Sequence, residues 1–376
     1  MVAGDRGVEL LVVAGEPSGD RAAARVVRAL GDAVDGVFGI GGDRLADCGV
    51  DLLAHIRDLT ALGVGDSLAR LGAWSRAWCS VREEAARRRP PVALLVDAPE
   101  VNLPLARALT AGGARVVWYV GPQVWAWRPW RLQLLRDRSE IVALVLPFEK
   151  ELYDRAGVRA EFVGHPVLDE PAGVGRKKVR TALNVPPGTP LVALLPGSRR
   201  AEVSALAEPM IDAGSQLCSL GVRPVLAPGP DALVAGLKDR AEAAGVALLP
   251  DGLGARELLG AADAALVASG TATLEAAIAG TPLAVVYRVG AVSWLLARLL
   301  VDVPYIGLPN WVAGRRVVPE LVQDEAHASA MAELAIALLE PVERERQLGE
   351  LDDVCARLGS PGAARRVARL VREQLE

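Results

Sequence analysis

The chain has 376 residues, 51% of them apolar, and a formal net charge of −4. This length predicts two domains, and the small negative charge excludes a protein whose whole surface attracts nucleic acid. The four cysteines lack the C-x-x-C spacing of a zinc ribbon and are typical of a reducing compartment.

Short apolar runs recur along the chain, each followed by a loop and a helical pattern. Runs this short and this continuously apolar are typical of parallel strands that are buried on both faces. The clearest are residues 10–14, 92–96, 116–120, 142–146, 191–195, 225–227, 264–267 and 283–286. Their alternation with helices predicts an α/β protein with two Rossmann-like, doubly wound domains that face a cleft.

Residues 170–190 are rich in proline, glycine and basic residues, which predicts a linker with a short helix. We therefore place an N-terminal domain at 1–170, a C-terminal domain at 171–345 and a helical segment at 346–376. For that segment, packing on the first domain and packing on a partner subunit are both open. Ligands of parallel α/β sheets bind outside the carboxyl ends of the strands, so the loops that follow strands are the candidate sites.

Two loops of the first domain carry carboxylates. The stretch AGEPSGD has a strand, a glycine loop and a helix, as in dinucleotide sites, but Glu16 and Asp20 oppose a pyrophosphate. The stretch DAPEVN places Asp97 and Glu100 after a buried strand, where carboxylates are candidates for a general base. Both loops indicate a site for hydroxyl-bearing ligands, and the alternative is that these carboxylates cap turns or are solvated.

Two loops of the second domain resemble diphosphate sites. In PGSR, Gly197 permits close approach, and Ser198 and Arg199 can meet phosphate oxygens. In SGTATLE, hydroxyls and N–H groups open a helix, and a glutamate follows that can bind ribose hydroxyls. The alternative for both loops is an ordinary helix cap.

Aromatic residues mark two further stretches. The segment VGPQVWAWRPWR interleaves three tryptophans with arginines, which suits sugar rings, acyl chains and phosphates, or else a core cluster with outward-reaching arginines. Residues 66–89 form a basic helical pattern with Trp74 and Trp78 on one face, which suits an anionic membrane surface or packing into the domain. The stretch 294–301 raises the same alternatives, and we favour the core or a subunit contact there.

Taken in order, these stretches resemble the lipid-A-disaccharide synthases, a bacterial glycosyltransferase family of the two-Rossmann-domain (GT-B) type. The resemblance runs nearly end to end. It is carried by AGEPSGD, GIGGDRL, DAPEVN, GPQVWAWR, LPFEKELYD, FVGHPVLD, LLPGSRRAEV, ASGTATLE and LPNWVAGRRVVPELVQ. The family often has DAPDFN where this chain has DAPEVN, so the second acid is one methylene longer here.

The resemblance implies an inverting transfer of 2,3-diacylglucosamine from UDP to the 6-hydroxyl of 2,3-diacylglucosamine 1-phosphate. The products are a β-1,6-linked lipid A disaccharide 1-phosphate and UDP. The UDP-sugar is a substrate, and the resemblance implies neither a cofactor nor a metal. Because both substrates carry acyl chains, it implies a cytoplasmic enzyme of a Gram-negative bacterium that touches the inner membrane peripherally. A homodimer is left open, and no nucleic acid partner is expected.

The resemblance also assigns roles to residues of this chain. The catalytic candidates are Glu100 as the base, Asp97, Asp20 and Arg199. The nucleotide candidates are Ser198, Arg199, Ser269, Gly270, Thr271, Thr273, Glu275, Asn310, Arg315 and Gln323. The acceptor-side candidates are Glu16, Ser18, Asn102, Trp125, Trp127, Arg128 and His165.

Two rival hypotheses share the two-domain plan. One is an isomerase like UDP-N-acetylglucosamine 2-epimerase, which needs no acylated acceptor. The other is a sugar-nucleotide-binding paralogue without catalytic activity.

Overall fold

The computed structural model describes residues 7–60, 67–170, 174–229, 236–290, 294 and 303–376. It divides into two compact units. Unit 1 is Met1–Asp169 with Gly359–Glu376, and unit 2 is Glu170–Leu358. Asp66 and residues 295–301, which belong to the two stretches with membrane or core alternatives, lie outside the described residues.

Unit 1 is built on a parallel sheet. Its strands are β1 (Glu9–Ala14), β2 (Gly36–Gly41), β3 (Asp51–His55), β4 (Val92–Val96), β5 (Arg115–Tyr119), β6 (Ile141–Leu144) and β7 (Ala160–Phe162). Its helices are α1 (Pro17–Leu30), α2 (Asp43–Ala46), α3 (Ile56–Thr60), α4 (Ser67–Arg88), α5 (Pro99–Ala111), α6 (Arg131–Arg138), α7 (Glu149–Arg155) and, at the C-terminal end, α16 (Ala363–Leu375). The seven strands lie in the order β3-β2-β1-β4-β5-β6-β7, all paired in parallel.

Helices cover both faces of this sheet. Helices α4 and α5 pack against a core that includes Leu11 and Val13 of β1, whereas α1 and α16 pack together on the other face. The carboxylate of Asp169 caps α16 by accepting hydrogen bonds from the N–H groups of residues 362–364. Burial on both faces explains why the central strands are continuously apolar.

The tryptophans of α4 face the core. Trp74 and Trp78 are partly buried against the hydrophobic core of unit 1, next to the buried Ala77 and Val81 of the same helix. Of the two alternatives for these side chains, a membrane surface or packing into the domain, the structure therefore supports packing into the domain. The exposed face of α4 carries arginines instead, among them Arg76.

Unit 2 repeats the plan. Its strands are β8 (Leu191–Leu195), β9 (Arg223–Leu226), β10 (Ala247–Leu248), β11 (Ala264–Ala268), β12 (Leu283–Tyr287) and β13 (Glu320–Val322). Its helices are α8 (Arg176–Ala182), α9 (Arg200–Ser219), α10 (Leu237–Ala243), α11 (Ala255–Ala261), α12 (Ala272–Ile278), α13 (Leu308–Ala313), α14 (Ala328–Leu339) and α15 (Pro341–Arg357). The sheet order is β10-β9-β8-β11-β12-β13, again all parallel. The predicted fold class, doubly wound α/β in two Rossmann-like units, is confirmed.

The C-terminal boundary differs from the predicted residue 346. Helix α15 belongs to unit 2, because the buried side chain of Gln347 exchanges two hydrogen bonds with the backbone of Leu283 at the start of β12. The buried Leu351 and Val354 of α15 are consistent with this placement. The rest of the predicted segment 346–376, from Gly359 onward, belongs to unit 1 and contains helix α16.

Candidate functional site

The order of strands marks one place in each sheet where ligands are expected. In unit 1 the order reverses between β1 and β4, and in unit 2 it reverses between β8 and β11. Ligands of doubly wound sheets bind outside the carboxyl ends of the strands at such a switch point. The loops that leave these four strands are those singled out in the sequence.

In unit 1 the two switch-point loops touch. A Cβ atom on Gly15 would lie 2.8 Å from the Cβ of Ala98 and 3.6 Å from the ring of Trp74. Glycine is therefore needed at position 15, and Trp74 lies beside the loop, which the sequence did not indicate. Glu16 is half-buried at the N-cap of α1, and Ser18 is exposed in its first turn.

Asp20 has a structural role in this unit. Its side chain is buried, and its carboxylate accepts hydrogen bonds from the N–H groups of Gly42 (2.7 Å), Arg44 (3.0 Å) and Leu45 (3.2 Å). These donors belong to the start of α2, so Asp20 fixes the loop after β2. A carboxylate engaged by three backbone donors is poorly placed to take a proton from a substrate, which departs from its predicted catalytic role.

The loop after β4 is strained. Asp97 and Ala98 have φ values of +49° and +44°, a left-handed conformation that aspartate tolerates but that is unfavourable for alanine. The buried Asn102 stabilises the turn, since its side-chain amide donates to the carbonyl oxygens of Val96 (3.2 Å) and Asp97 (2.8 Å). Asn102 thus supports the half-buried Asp97 at the switch point, although it was predicted to contact substrate.

Glu100 is held as a carboxylate by arginine. Arg131, which is buried, donates to Oε1 of Glu100 at 2.6 Å, and Arg128 lies 3.5 Å from the same atom. Burial opposes ionisation, but the hydrogen bond from Arg131 and the two positive charges hold the pKa of Glu100 below its usual range. Glu100 is therefore ionised at neutral pH, and its affinity for a proton is reduced.

The aromatic segment is split between surface and core. Trp127 and Trp130 are exposed, and the guanidinium of Arg128 stacks 4.0 Å from the centroid of Trp127. Trp125 is half-buried and meets the ring of Phe148 edge-on at 5.2 Å between centroids. Both alternatives raised by the sequence thus apply, to different tryptophans.

His165 is buried, and burial lowers its pKa to about 4. Its Nδ1 accepts a hydrogen bond from the N–H of Val167 at 3.2 Å. The ring is therefore neutral at neutral pH and fixes the turn that follows it, which is the structural fate of most single histidines.

Glu149 is a residue that the sequence analysis did not single out. Its side chain is 1% exposed, and its carboxyl group accepts hydrogen bonds from the indole N–H of Trp125 and from the N–H of Leu146, each at 3.1 Å. Burial raises the pKa of Glu149 to about 8, the charge of Asp97 adds to the rise, and the two hydrogen bonds oppose it. Only its position after β6, in the stretch LPFEKELYD, pointed to it.

This pKa predicts a specific dependence of stability on pH. A glutamate that ordinarily titrates near 4.5 keeps its proton in the native state up to about pH 8. The stability contributed by Glu149 is therefore fully present below pH 4.5 and is lost as the pH rises towards 8. We expect Glu149→Gln to remove a slope of up to about 1.4 kcal/mol per pH unit from the free energy of unfolding. Urea unfolding at several pH values in this window measures it, and equal slopes for both proteins would contradict the assignment.

In unit 2 the PGSR loop is closed by an internal carboxylate. Oε2 of Glu202 accepts hydrogen bonds from the N–H groups of Ser198 (3.1 Å) and Arg199 (3.3 Å), and a Cβ atom on Gly197 would collide with Glu202 at 2.4 Å. The backbone donors of this loop thus already have an anionic partner. The exposed side chains of Ser198 and Arg199 are the groups that a diphosphate can meet, and Arg199 Nη1 is 3.5 Å from Glu202.

The second switch-point loop of this unit combines anchored and exposed hydroxyls. Ser269 donates to the carbonyl oxygen of Ile306 at 2.8 Å, and the buried Thr273 donates to that of Gly270 at 2.7 Å. Gly270 has φ of +151°, a conformation that favours glycine. Thr271 is exposed and Glu275 is half-buried. Thr271 and the half-buried Ser269 and Glu275 therefore remain the nucleotide candidates of this loop that reach the surface, whereas the buried Thr273 supports the turn.

Three other nucleotide candidates have structural partners. The amide of the buried Asn310 donates to Val318 O and Glu320 and accepts from the N–H groups of Val317 and Val318, which fills its bonding capacity. The amide of Gln323 pairs with both backbone groups of Val289. Arg315 forms an ion pair with Glu350 of α15. The side-chain amides of Asn310 and Gln323 therefore join backbone segments of unit 2 by hydrogen bonds.

Among the described residues, no group of three or more His, Cys, Asp or Glu side chains is arranged to hold a metal ion. No helix in the described part of the chain has the length and apolar character needed to cross a membrane.

Known proteins match this chain over nearly its whole length. A family model described as lipid-A-disaccharide synthetase matches residues 10–359. The lipid-A-disaccharide synthase of Myxococcus xanthus (strain DK1622) is 40% identical over 373 residues, covering 97% of each chain. That of Syntrophus aciditrophicus (strain SB) is 39% identical over 369 residues, covering 96% of each chain.

Solved structures with the same fold are more distant in sequence. UDP-GlcNAc 2-epimerase from Neisseria meningitidis aligns with a TM-score of 0.65 at 13% identity, covering 98% of this chain and 99% of the other. The calicheamicin glycosyltransferase CalG4 aligns with a TM-score of 0.61 at 14% identity, covering 99% and 98%. At such identities the likeness concerns the fold alone.

Proposed function

The chain belongs to the lipid-A-disaccharide synthase family, and from this premise we propose that it joins two acylated glucosamine units. The reaction transfers 2,3-diacylglucosamine from UDP to the 6-hydroxyl of 2,3-diacylglucosamine 1-phosphate. O6 of the acceptor bonds to C1 of the donor, the C1–O bond to UDP breaks, and a base takes the O6 proton. One displacement turns an α-linked donor into a β-1,6-linked product, so the transfer is inverting.

We propose that unit 2 holds the nucleotide. The support is the position of two loops at its switch point, 196–199 and 269–275. Because Glu202 engages the backbone donors of the first loop, Arg199 meets the diphosphate through its guanidinium. That charge stabilises UDP as it departs. The exposed Thr271 and the half-buried Glu275 contribute from the second loop.

The acceptor is proposed to bind unit 1. The support is the group of half-buried or exposed side chains at its switch point, namely Glu16, Ser18, Asp97 and Glu100. Trp125 and Trp127 lie in the segment after β5, whose Arg131 binds Glu100. Glu100 is the proposed base and Asp97 the second candidate. The exposed Trp127 and Arg128 suit the apolar and anionic parts of an acylated sugar phosphate.

The single observation that carries the proposal is the family match over residues 10–359, with these loops at both switch points. The test is an assay with purified protein and UDP-2,3-diacylglucosamine, with and without the monosaccharide 1-phosphate. We expect UDP and disaccharide only when the acceptor is present. C2 epimerisation of UDP-N-acetylglucosamine would instead support the isomerase, and binding without turnover would support an inactive paralogue.

We also propose that the enzyme lies on the cytoplasmic leaflet of the inner membrane, because both substrates are acylated. The exposed arginines of α4, among them Arg76 and Arg82, are the proposed contact with anionic lipid.

This contact predicts an effect of charge reversal. We expect Arg76→Glu with Arg82→Glu to weaken binding to phosphatidylglycerol vesicles by about tenfold or more, since each basic residue contributes about 1 kcal/mol at such a surface. Vesicle co-sedimentation measures the binding. The matched control is Arg107→Glu with Arg115→Glu, two exposed arginines outside α4. Equal loss in both pairs would point to net charge rather than to α4.

A further inference from the structure

Glu149 is a buried acidic group that the proposed chemistry does not use. It begins α7, and its side chain is 1% exposed. Burying a carboxyl group is unfavourable unless its oxygens find donors, and here both do. One donor is the N–H of Leu146, in the turn after β6, and the other is the indole N–H of Trp125, 24 residues away in sequence.

The orientation of Trp125 depends on two neighbouring residues. Phe148 contacts the indole ring edge-on, and Glu149 accepts its N–H. The first contact limits the tilt of the ring, and the second is directional, so together they hold the ring in one orientation. Neither contact is needed to complete a helix or a strand.

The fixed indole belongs to the acceptor side of unit 1. Trp125 lies in the same segment as Arg128 and Arg131, which hold Glu100. The buried carboxyl group of Glu149 thus adjoins the aromatic segment through its hydrogen bond with Trp125.

We propose that Glu149 is a positioning residue for the acceptor, which it serves by fixing the indole of Trp125 as an apolar wall of the acceptor site. This inference rests on the proposed function, and it adds a positioning residue to the acceptor side of unit 1. Glu149 touches no substrate and acts through Trp125.

The test compares Trp125→Phe, Glu149→Gln and the double variant. Trp125→Phe removes the indole N–H. Glu149→Gln leaves an amide whose NH₂ must face one of the two N–H donors, so one of the hydrogen bonds is lost. We expect each single variant to raise KM for the acceptor about tenfold, with KM for the UDP-sugar changed less than twofold. Because both changes break the hydrogen bond between Trp125 and Glu149, KM for the acceptor in the double variant should resemble that of each single variant rather than the product of their effects.

A control separates positioning from general destabilisation. Val158→Ala removes buried methyl groups from the core of unit 1 after α7 without removing a hydrogen bond to Trp125. It should lower the melting temperature while leaving KM for the acceptor unchanged. The inference is overturned if Glu149→Gln alters both KM values equally, or if the effects of the two single variants multiply.

Binding of 2,3-diacylglucosamine 1-phosphate, measured by calorimetry in detergent, distinguishes failure of this inference from failure of the proposed function. If the wild-type protein binds this acceptor without transferring sugar to it, the proposed function fails and the variants still test the inference through affinity. If the wild-type protein does not bind the acceptor, the inference is overturned with it.

Discussion

We expect Arg199→Ala to lower kcat by about a thousandfold, because the guanidinium is the charge proposed to stabilise UDP as it leaves. Removing one group aimed at charge that develops in a transition state typically costs about 10²–10³ in rate. The fold should be unaffected. Arg199 is exposed, its 3.5 Å pair with Glu202 is a surface ion pair, and such pairs contribute roughly 0–1 kcal/mol. The backbone N–H of residue 199 that Glu202 accepts is kept in alanine.

The matched control for this variant is Arg200→Ala, which removes the same charge from the next residue, also exposed. Steady-state kinetics with the UDP-sugar and the acceptor, together with thermal unfolding, distinguish the two. Arg200→Ala should keep most of the activity. Near-normal turnover of Arg199→Ala, or an equal loss in both variants, would remove Arg199 from its proposed role.

The second large effect is expected from Glu100→Gln, which should reduce transfer by about 10²–10⁴-fold if this carboxylate is the base. The amide can still accept the hydrogen bond from Arg131, so the aromatic segment keeps its anchor while proton transfer is lost. Because arginine holds the pKa of Glu100 low, the acidic limb of the pH–rate profile should lie below the ordinary glutamate range.

Two comparisons make this prediction specific. Glu100→Asp keeps a carboxylate but moves it, so it should retain more activity than Glu100→Gln. If Glu100→Gln keeps normal activity, Glu100 serves only to pair with Arg131, and Asp97 becomes the base to test. In that case Asp97→Asn should abolish transfer, since Asp97 lies half-buried at the carboxyl end of β4.

The sequence predicted the architecture because buried parallel strands leave a strong local signal. All eight predicted runs correspond to strands, namely β1, β4, β5, β6, β8, β9, β11 and β12. The missed strands lack that signal for visible reasons. In β2, Gly39 interrupts the apolar run because a Cβ there would lie 1.8 Å from the carbonyl oxygen of Val12. Strand β3 is only partly buried, β7 and β13 are three residues long, and β10 has two residues.

Side-chain roles were harder to predict than the loops that carry them. The sequence cannot show that Asp20 caps a helix 22 residues away, nor that the amide of Asn310 is saturated by backbone groups. It also could not show that Glu149 is buried, since an acidic residue at the start of a helix is usually solvated. Such roles depend on contacts between distant segments, which no local pattern encodes.

The proposed division of substrates between the units requires unit 2 to be the nucleotide-binding unit. The most direct measurement is a crystal structure of the full chain with UDP bound. We predict density for the diphosphate beside Arg199 and for the ribose near Glu275. Density for UDP against residues 15–20 of unit 1, with 269–275 unoccupied, would contradict the assignment of the nucleotide to unit 2.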